Sequence, residues 1–151
     1  AGDLAGPVVG GGLEAEVRRA HVGQADIPVT EARKLLGDPK WIGASVSSLE
    51  EAERAISQGA DYLGVGAIYA TRSKADAGEP VGTGLIREIG SRWTIPMVGI
   101  GGIKAHNAAP VIAAGADGVA VISAIFDADD PEAAARQLRQ AVQEAHSAGE
   151  G

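Results

Sequence analysis

Two hydroxyls and an ammonium stand within four residues at Thr71, Ser73 and Lys74, in the stretch DYLGVGAIYATRSK that covers residues 61–74. Such a group suits a polyanion, because the ammonium is a compact positive charge and hydroxyls can turn to donate to several phosphate oxygens. On spacing alone a solvated polar loop is an equal reading. Asp26, in Gly23-Gln24-Ala25-Asp26, is a carboxylate that either caps a helix start just before Pro28 or binds a divalent cation. Ser45 is a lone hydroxyl inside the apolar run Trp41-Ile42-Gly43-Ala44-Ser45-Val46, equally a ligand contact or a small packing residue. Gly101-Gly102 follows another apolar run, and a turn with that backbone freedom can aim amides at an anion. His21, His106 and His146 are scattered in sequence and read as structural or surface residues. Asp127, Asp129 and Asp130 precede Pro131 and read as helix capping rather than as metal ligands.

These groups need elements to hold them. Residues 62–68 are apolar and Gly-spaced, as a fully buried strand requires, and residues 41–46, 97–101 and 119–123 read as further strands. Residues 21–24 read as the end of another. Between them the spacing predicts a helix from Pro28 or Thr30 to Gly37, and a second opened by Ser48-Leu49-Glu50-Glu51. That tetrad fits a capping box, with the Ser48 hydroxyl on the Glu51 amide and the Glu51 carboxylate returning to the Ser48 amide. It predicts a helix ending near Gln58, closed by Gly59 in the left-handed region. A third helix contains Leu85, Ile86 and Ile89, a fourth covers about 107–114 with Pro110 in its first turn, and a last one starts at Asp130-Pro131 and turns Leu138 and Val142 inward. Strand and helix thus alternate five times. Connections too long for hairpins and strands too apolar for a one-sided sheet imply a parallel sheet. Gly59-Ala60-Asp61 before one strand is echoed by Gly115-Ala116-Asp117 before the last, as repeated βα units would produce. Thr71 and the residues after it then follow the carboxyl end of a strand, where parallel α/β folds gather their ligands.

The 151 residues, with a hydrophobic share of 45%, suffice for one core. The expected division is a poorly ordered segment at 1–20, a folded unit at 21–145 and a fraying tail at 146–151. A net charge of −7 argues against nucleic acid or an anionic membrane as partner, since either needs a basic face. Without Cys there are no disulfides or thiolate metal sites, and no stretch reads as a signal peptide or an apolar span of ~20 residues, which points to the cytoplasm. A closed eight-stranded barrel usually needs ~200 residues or more. Yet the Gly-rich ends of the last two strands look like the phosphate site such barrels build there. The fold class expected is therefore α/β: a partial (β/α)8 TIM barrel of about five βα units, lacking N-terminal strands, whose open sheet edge offers a route to self-association.

Gly23-Gln24-Ala25-Asp26, Gly43-Ala44-Ser45, Ala70-Thr71-Arg72-Ser73-Lys74 and the stretches 99–103 and 119–125 occur in an order that resembles the thiamine phosphate synthase family, from about His21 to Val142. The resemblance implies a (β/α)8 transferase that joins hydroxymethylpyrimidine diphosphate to thiazole phosphate and releases pyrophosphate with Mg²⁺ bound. It implies Asp26 as a Mg²⁺ ligand and Ser45 as a contact to the pyrimidine diphosphate. Thr71, Ser73 and Lys74 match the T-x-T-K loop that grips the pyrophosphate, with Ser73 in place of a Thr. The Gly102 amide and the Ile122-Ser123 backbone fall to the thiazole phosphate, and Lys74 and Ser45 are the implied catalytic residues. The family's Q-x-R-x-K signature and Asn-Asp pair are absent from residues 1–20. Two alternatives remain: a related thiazole tautomerase, which has less need for the Lys74 loop, and a catalytically incomplete chain that only binds phosphate or pyrophosphate.

Overall fold

Alternation of side chains decides how the sheet is used. In β2 (Trp41–Val46), Ile42, Ala44 and Val46 are buried against helices, while Gly43 and Ser45 take the opposite face, as the period-two geometry of a strand demands. The computed structural model describes residues 19–36, 41–71 and 79–149. Its other strands are β1 (Arg19–Val22), β3 (Tyr62–Val65), β4 (Met97–Ile100) and β5 (Gly118–Ala120). All five pair in parallel and in sequential order, each with its neighbours in the chain. Among the described residues β1 and β5 therefore each present one unpaired edge, as expected of part of a (β/α)8 barrel.

The helices α1 (Val29–Leu36), α2 (Leu49–Ser57), α3 (Gly84–Arg92), α4 (Ala108–Ala113), α5 (Ser123–Phe126) and α6 (Pro131–Gly149) complete the βα units. Their apolar stripes are narrow and often made of small residues: Val29 and Ala32, Ala52 and Ala55, Ile86 and Ile89, Ala108, Val111 and Ile112, and Leu138. With Ile42, Val46, Leu63, Val65 and Met97 they form one cluster. Fully burying each Val, Leu or Ile stabilises by about 1.5–3 kcal/mol, so this layer holds the fold. The other face of the sheet carries small residues and the His21 and Tyr62 rings on β1 to β3, and Val98 and Ile100 on β4.

Local signals account for much of this. The Ser48 hydroxyl accepts the Glu51 amide at 3.1 Å, and Gly59 closes the helix at φ +95°. The Glu51 carboxylate differs from expectation: it receives the Ser47 amide at 2.9 Å and the Ser47 hydroxyl at 3.0 Å, so the box closes one residue upstream. Asp130 Oδ1 caps α6 through the Ala133 amide at 3.1 Å. The echoed aspartates do one job twice. Asp61 Oδ2 accepts the Ile42 amide at 2.8 Å while its own amide donates to the Ile42 carbonyl, and Asp117 does the same to Met97 at 2.9 Å. Each ties the start of its strand to the start of the preceding one.

The last strand is shorter than its apolar run. The register ends at Ile100 with Ala120, the last residue of β5, and the Ile122 carbonyl then accepts the Ile125 and Phe126 amides, turning the chain into α5. With no partner strand beyond Ile100, residues 121–123 have no ladder to join. Of residues 1–20, where poor order was expected, 1–18 lie outside the described residues, as do Gly37, the expected end of the first helix, and residues 150–151, whereas Arg19 and Ala20 belong to β1 and α6 continues through His146 to Gly149. Among the described residues no helix is long and apolar enough to cross a membrane.

Candidate functional site

The face turned away from the helices is built in rows. Register places His21 beside Gly43 and Gly43 beside Tyr62; the next row runs Ser45, Gly64, Val98. Two glycines clear this surface for two rings. A Cβ on Gly43 would lie 2.1 Å from Cζ of Tyr62, and one on Gly64 would lie 3.1 Å from Cε1 of His21. The His21 ring thus reaches across β2 toward β3. Its Nε2 lies 2.6 Å from Ser45 Oγ and its Nδ1 3.4 Å from the Tyr62 hydroxyl, with ring centroids 5.8 Å apart. Gln24 Nε2 donates to the Ser45 carbonyl at 2.6 Å, which fastens the turn after β1 onto the end of β2.

Asp26 stands in that same turn. Its Oδ2 accepts the Gly23 amide at 2.7 Å, and its amide donates to the Gly23 carbonyl at 3.1 Å. The carboxylate therefore caps its own turn rather than α1, whose Val29 amide is taken by Gln58 Oε1 at 3.2 Å. Beside it a cleft of about 170 Å³ is lined by Gln24, Asp26, Glu51, Arg54 and Gln58. Among the described residues no three His, Cys, Asp or Glu side chains gather into a metal cage. Mg²⁺ is commonly held by one or two carboxylates together with substrate phosphates and water, so Asp26 fits as one ligand of such a shared site and not as a self-sufficient one.

The other candidates line the ends of the next strands. Beyond β3 the chain stays beside β4, with the Ile68 amide on the Ile100 carbonyl at 2.8 Å and the Tyr69 amide on Gly101 at 3.0 Å. Gly101 and Gly102 turn sharply at φ +103° and +67°, and a Cβ on Gly102 would lie 2.5 Å from the Ala70 carbonyl, so the segment entering Thr71 rests on this turn. Asn107 braces the turn: its Nδ2 donates to the Gly102 carbonyl at 3.1 Å, its Oδ1 accepts the Lys104 amide at 2.7 Å, and its own carbonyl accepts the Tyr69 hydroxyl at 2.9 Å. Thr71 is half-buried, and Ser123, also half-buried, opens α5 after the exposed Ile122. The loop after Gly102 meets α5 and α6 around a cleft of about 370 Å³ that includes Lys104, Ser123 and Asp127. Ser73 and Lys74 lie outside the described residues.

Asp26 and Ser45 thus lie after β1 and at the end of β2, which Gln24 ties together, and Thr71, Gly102 and Ile122-Ser123 follow β3, β4 and β5 in turn. His21, Tyr62 and Gln24 are additions that sequence reasoning missed. For His21 and Tyr62 the only sequence signal is alternation with buried neighbours, which becomes meaningful once the strand register is known, whereas Gln24 stood in the quoted Gly23–Asp26 motif without a role.

Comparison with known proteins gives a consistent result. The model of the family described as thiamine monophosphate synthase (TMP-TENI) matches residues 10–125. A thiamine-phosphate synthase of Moorella thermoacetica is 55% identical over 130 residues, covering 86% of this chain and 62% of that protein. One of Shouchella clausii is 51% identical over 133 residues, covering 88% and 64%. Among solved structures, a thiamine phosphate pyrophosphorylase from Pyrococcus furiosus superposes with a TM-score of 0.77 at 41% identity, covering 86% of this chain and 61% of that one. The chain spans about three fifths of the length of these relatives.

Proposed function

Because the chain belongs to the thiamine monophosphate synthase family, we propose that it serves thiamine biosynthesis as a transferase that joins hydroxymethylpyrimidine diphosphate to thiazole phosphate and releases pyrophosphate. One observation carries this reading: Asp26, Ser45, Thr71, Gly102 and Ser123 all sit at or just past the carboxyl ends of five adjoining parallel strands, where such sheets bind ligands.

The reaction breaks the bond between the pyrimidine methylene and the diphosphate oxygen, the electron pair leaving with pyrophosphate, and the thiazole nitrogen then supplies the pair that forms the new C–N bond. Its main demand is electrostatic, since negative charge grows on the leaving group while the methylene becomes cationic. Thr71, Ser73 and Lys74 take the leaving pyrophosphate, with the Lys74 ammonium opposite the developing charge. Ser45 meets the pyrimidine, and the Gly102 amide with the Ile122-Ser123 backbone anchors the thiazole phosphate. Mg²⁺, with Asp26 as one ligand and phosphate oxygens and water completing its shell, would neutralise diphosphate charge when bound. Small phosphorylated molecules are thus the partners, and the edges of β1 and β5 that are unpaired among the described residues are surfaces on which strand pairing with another copy would occur.

Calorimetry with inorganic pyrophosphate tests the assignment. Lys74→Ala is expected to weaken binding about tenfold, the loss of one charge-assisted contact at the low end of its range. Equal affinity of the parent chain and the variant would sink it.

A further inference from the structure

Ser45 is half-buried and its hydroxyl has a defined partner: His21 Nε2 at 2.6 Å. That separation brings the two groups into hydrogen-bond contact, and Nε2 accepts from the Ser45 hydroxyl in the tautomer whose proton sits on the other ring nitrogen. With Nε2 accepting, a neutral imidazole carries its proton on Nδ1, and Nδ1 faces the Tyr62 hydroxyl at 3.4 Å. The sheet is shaped for this contact, because the absence of side chains at Gly43 and Gly64 makes room for the Tyr62 and His21 rings. Gln24 meanwhile holds the Ser45 backbone from the other side.

We propose that His21 is a positioning residue for Ser45: by accepting the hydroxyl's hydrogen bond at Nε2, it leaves the Ser45 oxygen lone pairs as an acceptor for an N–H donor of the ligand. The proposal deepens the reading above, since the exocyclic amine of an aminopyrimidine is a donor of that kind. A serine without this neighbour can rotate to donate or accept and does not discriminate between the two ligand chemistries. With His21 in place it discriminates in favour of the amine. Tyr62, packed on Gly43, limits the tilt of the imidazole and so keeps Nε2 on Ser45.

Two measurements on the 151-residue chain test this. The first needs no ligand: imidazole ¹⁵N chemical shifts at alkaline pH, where imidazoles are neutral, with His21 assigned by its loss in His21→Phe. The expected result is an unprotonated Nε2 whose resonance moves in Ser45→Ala; a protonated Nε2, or no response to Ser45→Ala, overturns the proposal. The second compares hydroxymethylpyrimidine diphosphate with inorganic pyrophosphate by calorimetry. His21→Phe is expected to weaken the pyrimidine ligand about fivefold to tenfold, the range of one hydrogen bond, and to leave pyrophosphate unchanged. A variant that loses both ligands equally, or neither, refutes the assignment of His21. Failure of the parent chain to bind pyrophosphate refutes instead the reading of the Thr71-Ser73-Lys74 loop, and the ¹⁵N shifts still decide the Ser45 contact.

Discussion

Gly43→Ala is the substitution with the most specific expected outcome. The added methyl carbon lies 2.1, 2.3 and 2.5 Å from three atoms of the Tyr62 ring. Non-bonded carbons prefer at least about 3.5 Å, so the ring must retreat by about 3.5 − 2.1 = 1.4 Å. Tyr62 is 8% exposed and touches His21, so that movement disturbs a packed row. Overpacking of this kind costs about 1–3 kcal/mol. Replacing a glycine inside a strand returns about 0.5–1 kcal/mol of backbone entropy, which leaves a net loss of about 0–2.5 kcal/mol. Urea unfolding followed by circular dichroism, with m-values checked for constancy, measures it. The same substitution in a Tyr62→Ala background removes the clash and keeps the entropic gain, so Gly43→Ala should there be stabilising by about 0.5–1 kcal/mol. The reversal of sign is the diagnostic. If Gly43→Ala has the same effect in both backgrounds, the glycine is not there to admit the tyrosine, and the account of the His21 row fails with it.

The paired aspartates offer an internal comparison. Asp117→Ala strands the Met97 amide and should cost about 1 kcal/mol, whereas Asp61→Ala strands the Ile42 amide and also breaks the 2.7 Å ion pair with Arg33, adding about 0.5–1 kcal/mol. That excess should shrink with added salt in unfolding experiments; an excess indifferent to salt would show that it is not ionic. Ser48→Ala should cost about 1 kcal/mol through loss of the α2 cap, and Ser47→Ala less, because the Ser47 amide keeps its bond to Glu51 when the hydroxyl is gone. Equal losses from the two in thermal or urea unfolding would contradict this division of the capping contacts.

Much of the architecture was legible in the chain because its signals are local. The alternation of Ile42, Ala44 and Val46, the cap at Ser48, the closing Gly59 and the Asp130-Pro131 helix start each depend on residues a few positions apart, and each stands where its spacing puts it. The limits of elements were less legible when a neighbour sets them. Residues 121–123 are as apolar as a strand, yet β5 stops at Ala120 because β4 offers nothing to pair with beyond Ile100. Glu51 was recognised as a capping residue, but which amide it reaches depends on the path of the chain leaving β2.

For the candidate site the division is similar. The types of chemistry were readable: a hydroxyl-rich lysine loop, a carboxylate in a turn and a glycine turn at a strand end. By itself the sequence also determined the alternation of elements, and with it that these groups follow strands of a parallel sheet. Only the tertiary structure decided that His21, read as structural or surface, meets Ser45 across 24 residues and Tyr62 across 41. The reason is that strand register is a property of pairs. His21 and Tyr62 come into contact only because β1, β2 and β3 lie side by side in one alignment, and a slip of one residue in β1 or β3 would turn its ring to the helix side.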